Sequence, residues 1–277
     1  MRATALATLV SLFAGFSPVA AQNLDRTDRG AGTGSPGPGC ITTDPLPGSP
    51  TVRSDGNPFG FAYYWDATDI YPHGVLGDRI EARAVIAYLP DEGFCDVIRA
   101  GDGRAVFEDT APRIVDVTGD GRDELVLVAS DPDLGSRLEV WGYVSRGVGP
   151  EHDIRLLAAT PHIGTRHRWL APAAIADLDG DGHVEVAYVD RPHLAKVVRI
   201  WRYADGDFRE VAQASGFTNH RIGEPFISGG LRDCGTGPEV VLASADWSRR
   251  MAVTFRDGRI SARDVGRWTG QRHALDC

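Results

Sequence analysis

The chain has 277 residues, 33 of them glycine and 17 proline, and a formal net charge of -9. That acidic balance disfavours nucleic acid and anionic membrane as partners. The length suffices for one substantial core, and no apolar run approaches the ~20 residues of a membrane span.

In chain order, the first element is a targeting segment. Arg2 supplies a positive start, residues 3–16 form a short apolar run, and Val19, Ala20 and Ala21 end it ahead of Gln22. Residues 1–21 are therefore expected to be a signal peptide, and the protein to be secreted or periplasmic. Residues 22–50 form a Gly/Pro-rich N-terminal segment without a hydrophobic pattern. Cys40, Cys95, Cys234 and Cys277 suit two disulfides in an oxidising compartment. Spacing leaves three pairings open. Joining Cys40 to Cys95 and Cys234 to Cys277 would fasten each end of the chain to nearby strands.

From residue 51 onward, short segments rich in β-branched and aromatic residues alternate with Gly, Pro and Asp. Residues 81–89, 95–99 and 105–107 give strands of a first unit. A second unit runs from Ala111-Pro112 through Leu125-Val126-Leu127-Val128 to Leu138-Glu139-Val140-Trp141. A third runs from Ala171-Pro172 through Val186-Ala187-Tyr188-Val189 to Val198-Arg199-Ile200-Trp201. A worn fourth unit follows at residues 225–260. Spacings of roughly 40 to 60 residues suit repeated four-stranded units. The chain is thus expected to be all-β, with residues 51–277 forming a single β-propeller domain of about four or five blades. Residues 59–64 or 260–268 would supply the strands that close a mixed blade. An open β-sandwich is the alternative that strands and turns alone do not separate from it.

The second and third units share an acidic loop. Asp116-Val117-Thr118-Gly119-Asp120-Gly121-Arg122-Asp123-Glu124 recurs as Asp177-Leu178-Asp179-Gly180-Asp181-Gly182-His183-Val184-Glu185. In the later copy Asp177, Asp179 and Asp181 occupy positions one, three and five. Gly182 turns the carbonyl of His183 to position seven, and Glu185 closes at position nine. Carboxylates so crowded repel one another unless a hard cation sits among them. Ca2+, which takes about 6–8 oxygens, suits the pattern better than strictly octahedral Mg2+. The earlier copy offers Asp116, Thr118, Asp120, the carbonyl of Arg122 and Glu124. Its neutral Thr118 predicts weaker binding, and Asp123 is expected to be solvated beside it. Two Ca2+ ions are expected in all. An EF-hand is excluded, because position twelve is Leu127 or Tyr188 rather than Glu. The worn copy at residues 231–239 is expected to be metal-free and braced by a Cys234 disulfide.

On the Ala-Pro dipeptides joined to these two loops, the chain resembles the FG-GAP or VCBS-type repeat family, known also from the integrin alpha-subunit propeller. The resemblance spans about residues 80 to 260. It implies calcium loops between the first and second strands of a blade, turned away from the recognition surface.

No His-Glu-x-x-His, Gly-x-Ser-x-Gly or P-loop occurs. Trp141 and Trp201 hold equivalent strand positions and are expected in the core. The expected function is an exported calcium-binding FG-GAP/VCBS repeat protein, a monomer that binds a protein or glycan without catalytic activity. The alternative is a secreted hydrolase or lyase acting on a carbohydrate or polyanionic polymer. Its active groups would include His167, Arg168 and His220, from loops rich in His, Arg and Trp.

Overall fold

This computed structural model describes Cys40 and residues 44–55, 57–145 and 152–277. The expected signal peptide and most of the segment 22–50 lie outside the described residues. Among the described residues the regular elements are strands, apart from a 3-10 turn at Gln271–His273. The first sheet holds nine: β1 (Val52–Arg53), β2 (Phe61–Thr68), β3 (Glu81–Leu89), β4 (Phe94–Arg99), β5 (Val106–Phe107), β6 (Arg113–Val115), β7 (Glu124–Asp131), β8 (Gly135–Ser145) and β9 (His152–Ala159). The second holds β10 (Leu170–Ala176), β11 (Glu185–Asp190), β12 (Val197–Ala204) and β13 (Asp207–Ser215). The third holds β14 (Phe217–Thr218), β15 (Gly230–Asp233), β16 (Pro238–Ser244), β17 (Arg249–Arg256) and β18 (Arg259–Arg267).

The inner strands are apolar on both faces because both faces are covered. β10 and β11 are buried at every residue. Along β11, Val186 and Tyr188 enter a core shared with Val126, Val128, Leu138 and Val140 of the first sheet. The alternate residues Ala187 and Val189 enter the core shared with Leu231, Val240, Leu242 and Val253 of the third. The period-2 alternation of a strand therefore sandwiches the second sheet between the other two. Leu242 is wholly buried there, and cutting it to Ala would cost about 2–5 kcal/mol. The outer strands β13 and β18 are mostly exposed and carry Arg, Glu, Gln and Asp.

The all-β expectation is met, but the β-propeller of four-stranded blades is not. Two-residue β5 pairs Phe107 with Ala82 of β3, and Val106 and Phe107 with Ser130 and Ala129 of β7. That bridge fuses the segments read as the first and second units into one nine-stranded sheet. The ends do not complete a ring either. β2 pairs with β1 and β3, and β18 pairs with β17, so the segments expected to meet lie in different sheets. Local periodicity identifies a strand but does not choose its partner, and the choice of partner overturns the ring.

The repeat does persist inside the sheets. β8 and β12 carry register shifts at the same place, between Val140 and Trp141 and between Ile200 and Trp201. Asp205-Gly206 and Asp257-Gly258 both have left-handed backbone and turn the hairpins β12–β13 and β17–β18. Both disulfides take the expected pairing, Cys40–Cys95 and Cys234–Cys277. Leu46, just beyond Cys40, donates its N–H to the Tyr64 carbonyl at 2.8 Å and packs on the first core.

Candidate functional site

Each acidic loop leaves a short buried strand and enters a longer one: residues 116–124 join β6 to β7, and residues 177–185 join β10 to β11. The opening aspartate organises the turn. Asp116 accepts the N–H groups of Gly119 at 2.7 Å and Gly121 at 2.9 Å. Asp177 accepts those of Gly180, Asp181 and Gly182 at 2.7, 3.1 and 2.9 Å. Gly121 and Gly182, at φ 84° and 91°, occupy the left-handed region that the sequence assigns to glycine. The closing glutamate turns inward in both copies. Glu124 accepts the Val117 N–H and Glu185 the Leu178 N–H, each at 2.8 Å. Burial pushes both carboxyls up to about 7, and those same amide bonds pull them down.

What faces the glutamate differs between the copies. In the β11–β12 register Glu185 stands opposite Arg202. The Arg202 guanidinium reaches Glu185 at 2.6 Å, Asp179 at 2.7 Å and Asp181 at 2.7 Å. The corresponding partner of Glu124 is Gly142, since Leu125 pairs with Trp141. A Cβ on Gly142 would lie 2.4 Å from a Leu157 methyl, so that position holds no side chain. Glu124 instead takes the Thr118 N–H at 3.1 Å and its hydroxyl at 3.3 Å. Arg122 turns away and sits over the Tyr143 ring, 5.2 Å from its centroid.

Only one loop gathers ligands. Among the described residues, oxygens of Asp177, Asp179 and Glu185 lie within 4.8 Å of one another, and the earlier loop forms no such group. Asp179 Oδ1 is buried without a hydrogen-bond partner. An acceptor stranded in this way is unfavourable unless a cation completes it. Four carboxylates against one guanidinium leave an excess of three negative charges, which a divalent ion would reduce to one. The donor set is hard oxygen throughout, so these residues fit a divalent cation. Asp181 and Asp120 hold the N–H groups of His183 and Arg122 at 3.0 and 2.9 Å.

Asp123 is not solvated as expected. It accepts the Ser54 hydroxyl at 2.7 Å, and burial raises its carboxyl. In the worn loop, Asp233 accepts the N–H groups of Gly235 and Gly237 at 2.7 and 3.0 Å. Glu239 is neutralised by Arg232 at 3.0 Å and Arg263 at 2.7 Å, beside the Cys234 disulfide. That loop has its own positive charge.

Of the residues expected in an alternative active site, His167 and Arg168 line one cavity of about 220 Å3, together with His73, Trp169, Arg191 and His193. His220 is buried behind it and meets His193 at 3.0 Å. Of the carboxylates in this region, Glu108 binds His73 at 2.5 Å and Asp190 is held by Arg191 at 2.7 Å. A second cavity, of about 490 Å3, opens where the chain enters β6, β10 and β15, between Thr110, Arg113, Pro172 and Phe226. Trp201 is in the core as expected, and Trp141 is half-buried with its Nε1 on Glu139 at 2.9 Å.

Sequence reasoning missed Arg202 and Glu108. Nothing local announces Arg202 seventeen residues after Glu185; only the cross-strand register does. The Glu108–His73 pair likewise joins segments that are read separately.

Residues 116–188 match the family model of the FG-GAP-like repeat, a span that opens on Asp116 and ends within β11. The match covers well under half of the chain and includes both acidic loops. No curated protein matches the chain.

Proposed function

We propose that the protein is an exported, non-catalytic binding module, stabilised by Ca2+ in the loop 177–185, whose ligand is a protein or glycan. The observation that carries this is the stranded Asp179 Oδ1 beside the Asp177 and Glu185 carboxylates. Asp177, Asp179, Asp181, Glu185 and the carbonyl of His183 would hold the ion, with Asp116, Thr118, Asp120, Glu124 and the carbonyl of Arg122 as a weaker second place. The ion would supply charge neutralisation that locks β10 to β11. A chain-wrapped loop suits the flexible coordination of calcium better than octahedral magnesium. The repeat match over both loops supports the reading, and the signal-like start with two disulfides supports export.

An ion that binds the folded loop and not the unfolded chain adds about 2.7 kcal/mol of stability at a hundred times its Kd. Protein stripped with EGTA should therefore melt at a higher temperature as calcium is restored to millimolar levels. A melting temperature indifferent to calcium would remove the reading. A hydrolase or lyase acting through His167, Arg168 and His220 gains less support, because the nearby carboxylates Glu108 and Asp190 engage His73 and Arg191 instead. Release of unsaturated or reducing ends from a polyuronate would reinstate it.

A further inference from the structure

We infer that the histidine-lined cavity between residues 167–169 and 191–194 binds a ring-bearing organic carboxylate, with Arg168 as its principal anchor. The inference rests on the binding-module reading for its purpose, and on none of the cation-loop residues for its chemistry.

Charge is the first argument. The chain is acidic, and about half of its described arginines pair with a carboxylate within 3.4 Å, Arg99, Arg191, Arg209 and Arg221 among them. Among the described residues neither Arg166 nor Arg168 has a carboxylate partner; Arg168 donates to the His167 carbonyl at 2.8 Å and Arg166 to His167 Nε2 at 3.2 Å. Arg191, on the facing wall, uses Nε and Nη2 on Asp190 at 2.7 and 3.1 Å. Of the two arginines that line the cavity, Arg191 is thus compensated by Asp190 and Arg168 is not, and an oxyanion would complete Arg168.

The imidazoles around it are polar groups held in one orientation. His73 donates Nδ1–H to the buried Glu108, which also accepts the Ser130 hydroxyl at 2.5 Å. His220 Nε2 faces the Glu224 carbonyl at 2.8 Å and must donate there, so its Nδ1 accepts from His193 Nε2. His73 Nε2, His167 Nδ1 and His193 Nδ1 are left as ring nitrogens without a side-chain partner. The His73 and His167 rings stack at 5.0 Å with 7° between planes. His167 and Arg191 have left-handed backbone at φ 54° and 47°, and the Tyr71 hydroxyl takes the His167 N–H at 2.8 Å. Such strain in non-glycine residues persists where surroundings over-determine it, often at ligand sites.

The body of the ligand follows from the rim. Pro192, Leu194 and Ile222 line the same cavity, with Leu194 63% and Ile222 72% exposed. About 220 Å3 exceeds what a bare phosphate fills and suits one ring with an apolar face. A transition metal is the competing occupant for clustered imidazoles. Arg166 and Arg168 repel it, and three histidine nitrogens do not converge within 4.8 Å here as the carboxylates of the loop 177–185 do. Burial, with His73, Arg166 and Arg168 nearby, also lowers the His167 imidazole and favours its neutral form.

The test is calorimetry and histidine-ring NMR on the mature full chain, with D-galacturonate and benzoate as probes and neutral galactose as the control. At least one acid should bind and shift the His73, His167 and His193 resonances but not those of exposed His273, and Arg168→Gln should weaken it about tenfold or more. Galacturonate alone would identify an acidic sugar as the source, and benzoate alone an aromatic acid. The inference is overturned if neither acid shifts the wild-type rings, if galactose binds equally, or if Arg168→Gln binds like wild type. Zn2+ shifting those rings where both acids fail would overturn it in favour of a metal. Calcium-dependent melting of the same samples separates the outcomes, since a calcium response without acid binding removes this inference alone.

Discussion

The loops 116–124 and 177–185 have the same skeleton and different electrostatics. Both hang on an aspartate that gathers glycine N–H groups and close with a buried glutamate on the amide of position two. In one, the facing strand presents Arg202; in the other it presents Gly142, backed by Leu157. A motif therefore fixes how a loop folds, while the neighbouring strand fixes what its carboxylates meet. The worn third loop extends the lesson, with Arg232 and Arg263 facing Glu239 beside a disulfide.

The sharpest way to break this comparison is to remove Arg202. Glu185 is fully buried, and stripping one partner from a buried pair costs about 3–5 kcal/mol. Arg202→Met should lose an amount of that order in EGTA and clearly less in millimolar calcium, where the ion takes over the positive charge. Denaturant unfolding under the two conditions measures the difference, and equal losses would mean that no ion shares the site. Next in size is the third loop's covalent brace. Replacing Cys234 and Cys277 with Ser should cost about 2–4 kcal/mol, with no change in calcium response.

Isosteric amides then separate the two acidic loops. Asp179→Asn should abolish most of the calcium-induced rise in melting temperature, which reflects a stabilisation of about 2.7 kcal/mol at a hundredfold excess over Kd. Asp116→Asn keeps an acceptor for Gly119 and should leave most of that rise intact. If Asp116→Asn removed it instead, the order of the two loops would be reversed. The smallest effect lies away from the loops. Burial, with His220 and His73 beside it, pushes His193 down from 6.5 to about 4. The unfolded chain then binds the extra proton, so this contribution is complete above pH 6.5 and is lost as pH falls towards 4. His193→Gln should flatten that part of the pH–stability curve, and an unchanged slope would mean that His193 does not titrate there.

Much of the site was legible in the sequence because its determinants are local. Asp, Gly and Glu at fixed offsets dictate a turn whose bonds run over two to seven residues, and both loops and their flanking strands fall where that spacing puts them. The ring was not legible. Whether β5 joins β3 to β7 depends on three backbone pairings between segments some twenty residues apart, and alternation carries no information about them. The Arg202 fork and the histidine cavity were hidden for the same reason.

The sequence by itself determined strands, hairpin turns, the carboxylate spacing of both loops and cysteines able to tie each end of the chain. These follow from steric preference and hydrogen bonding between near neighbours. Among the described residues, the tertiary structure alone decided the division into sheets of nine, four and five strands, the single gathered carboxylate cluster, and the grouping of His73, His167 and His193. Those outcomes depend on which buried faces meet, and burial compares alternatives across the whole chain rather than within one segment.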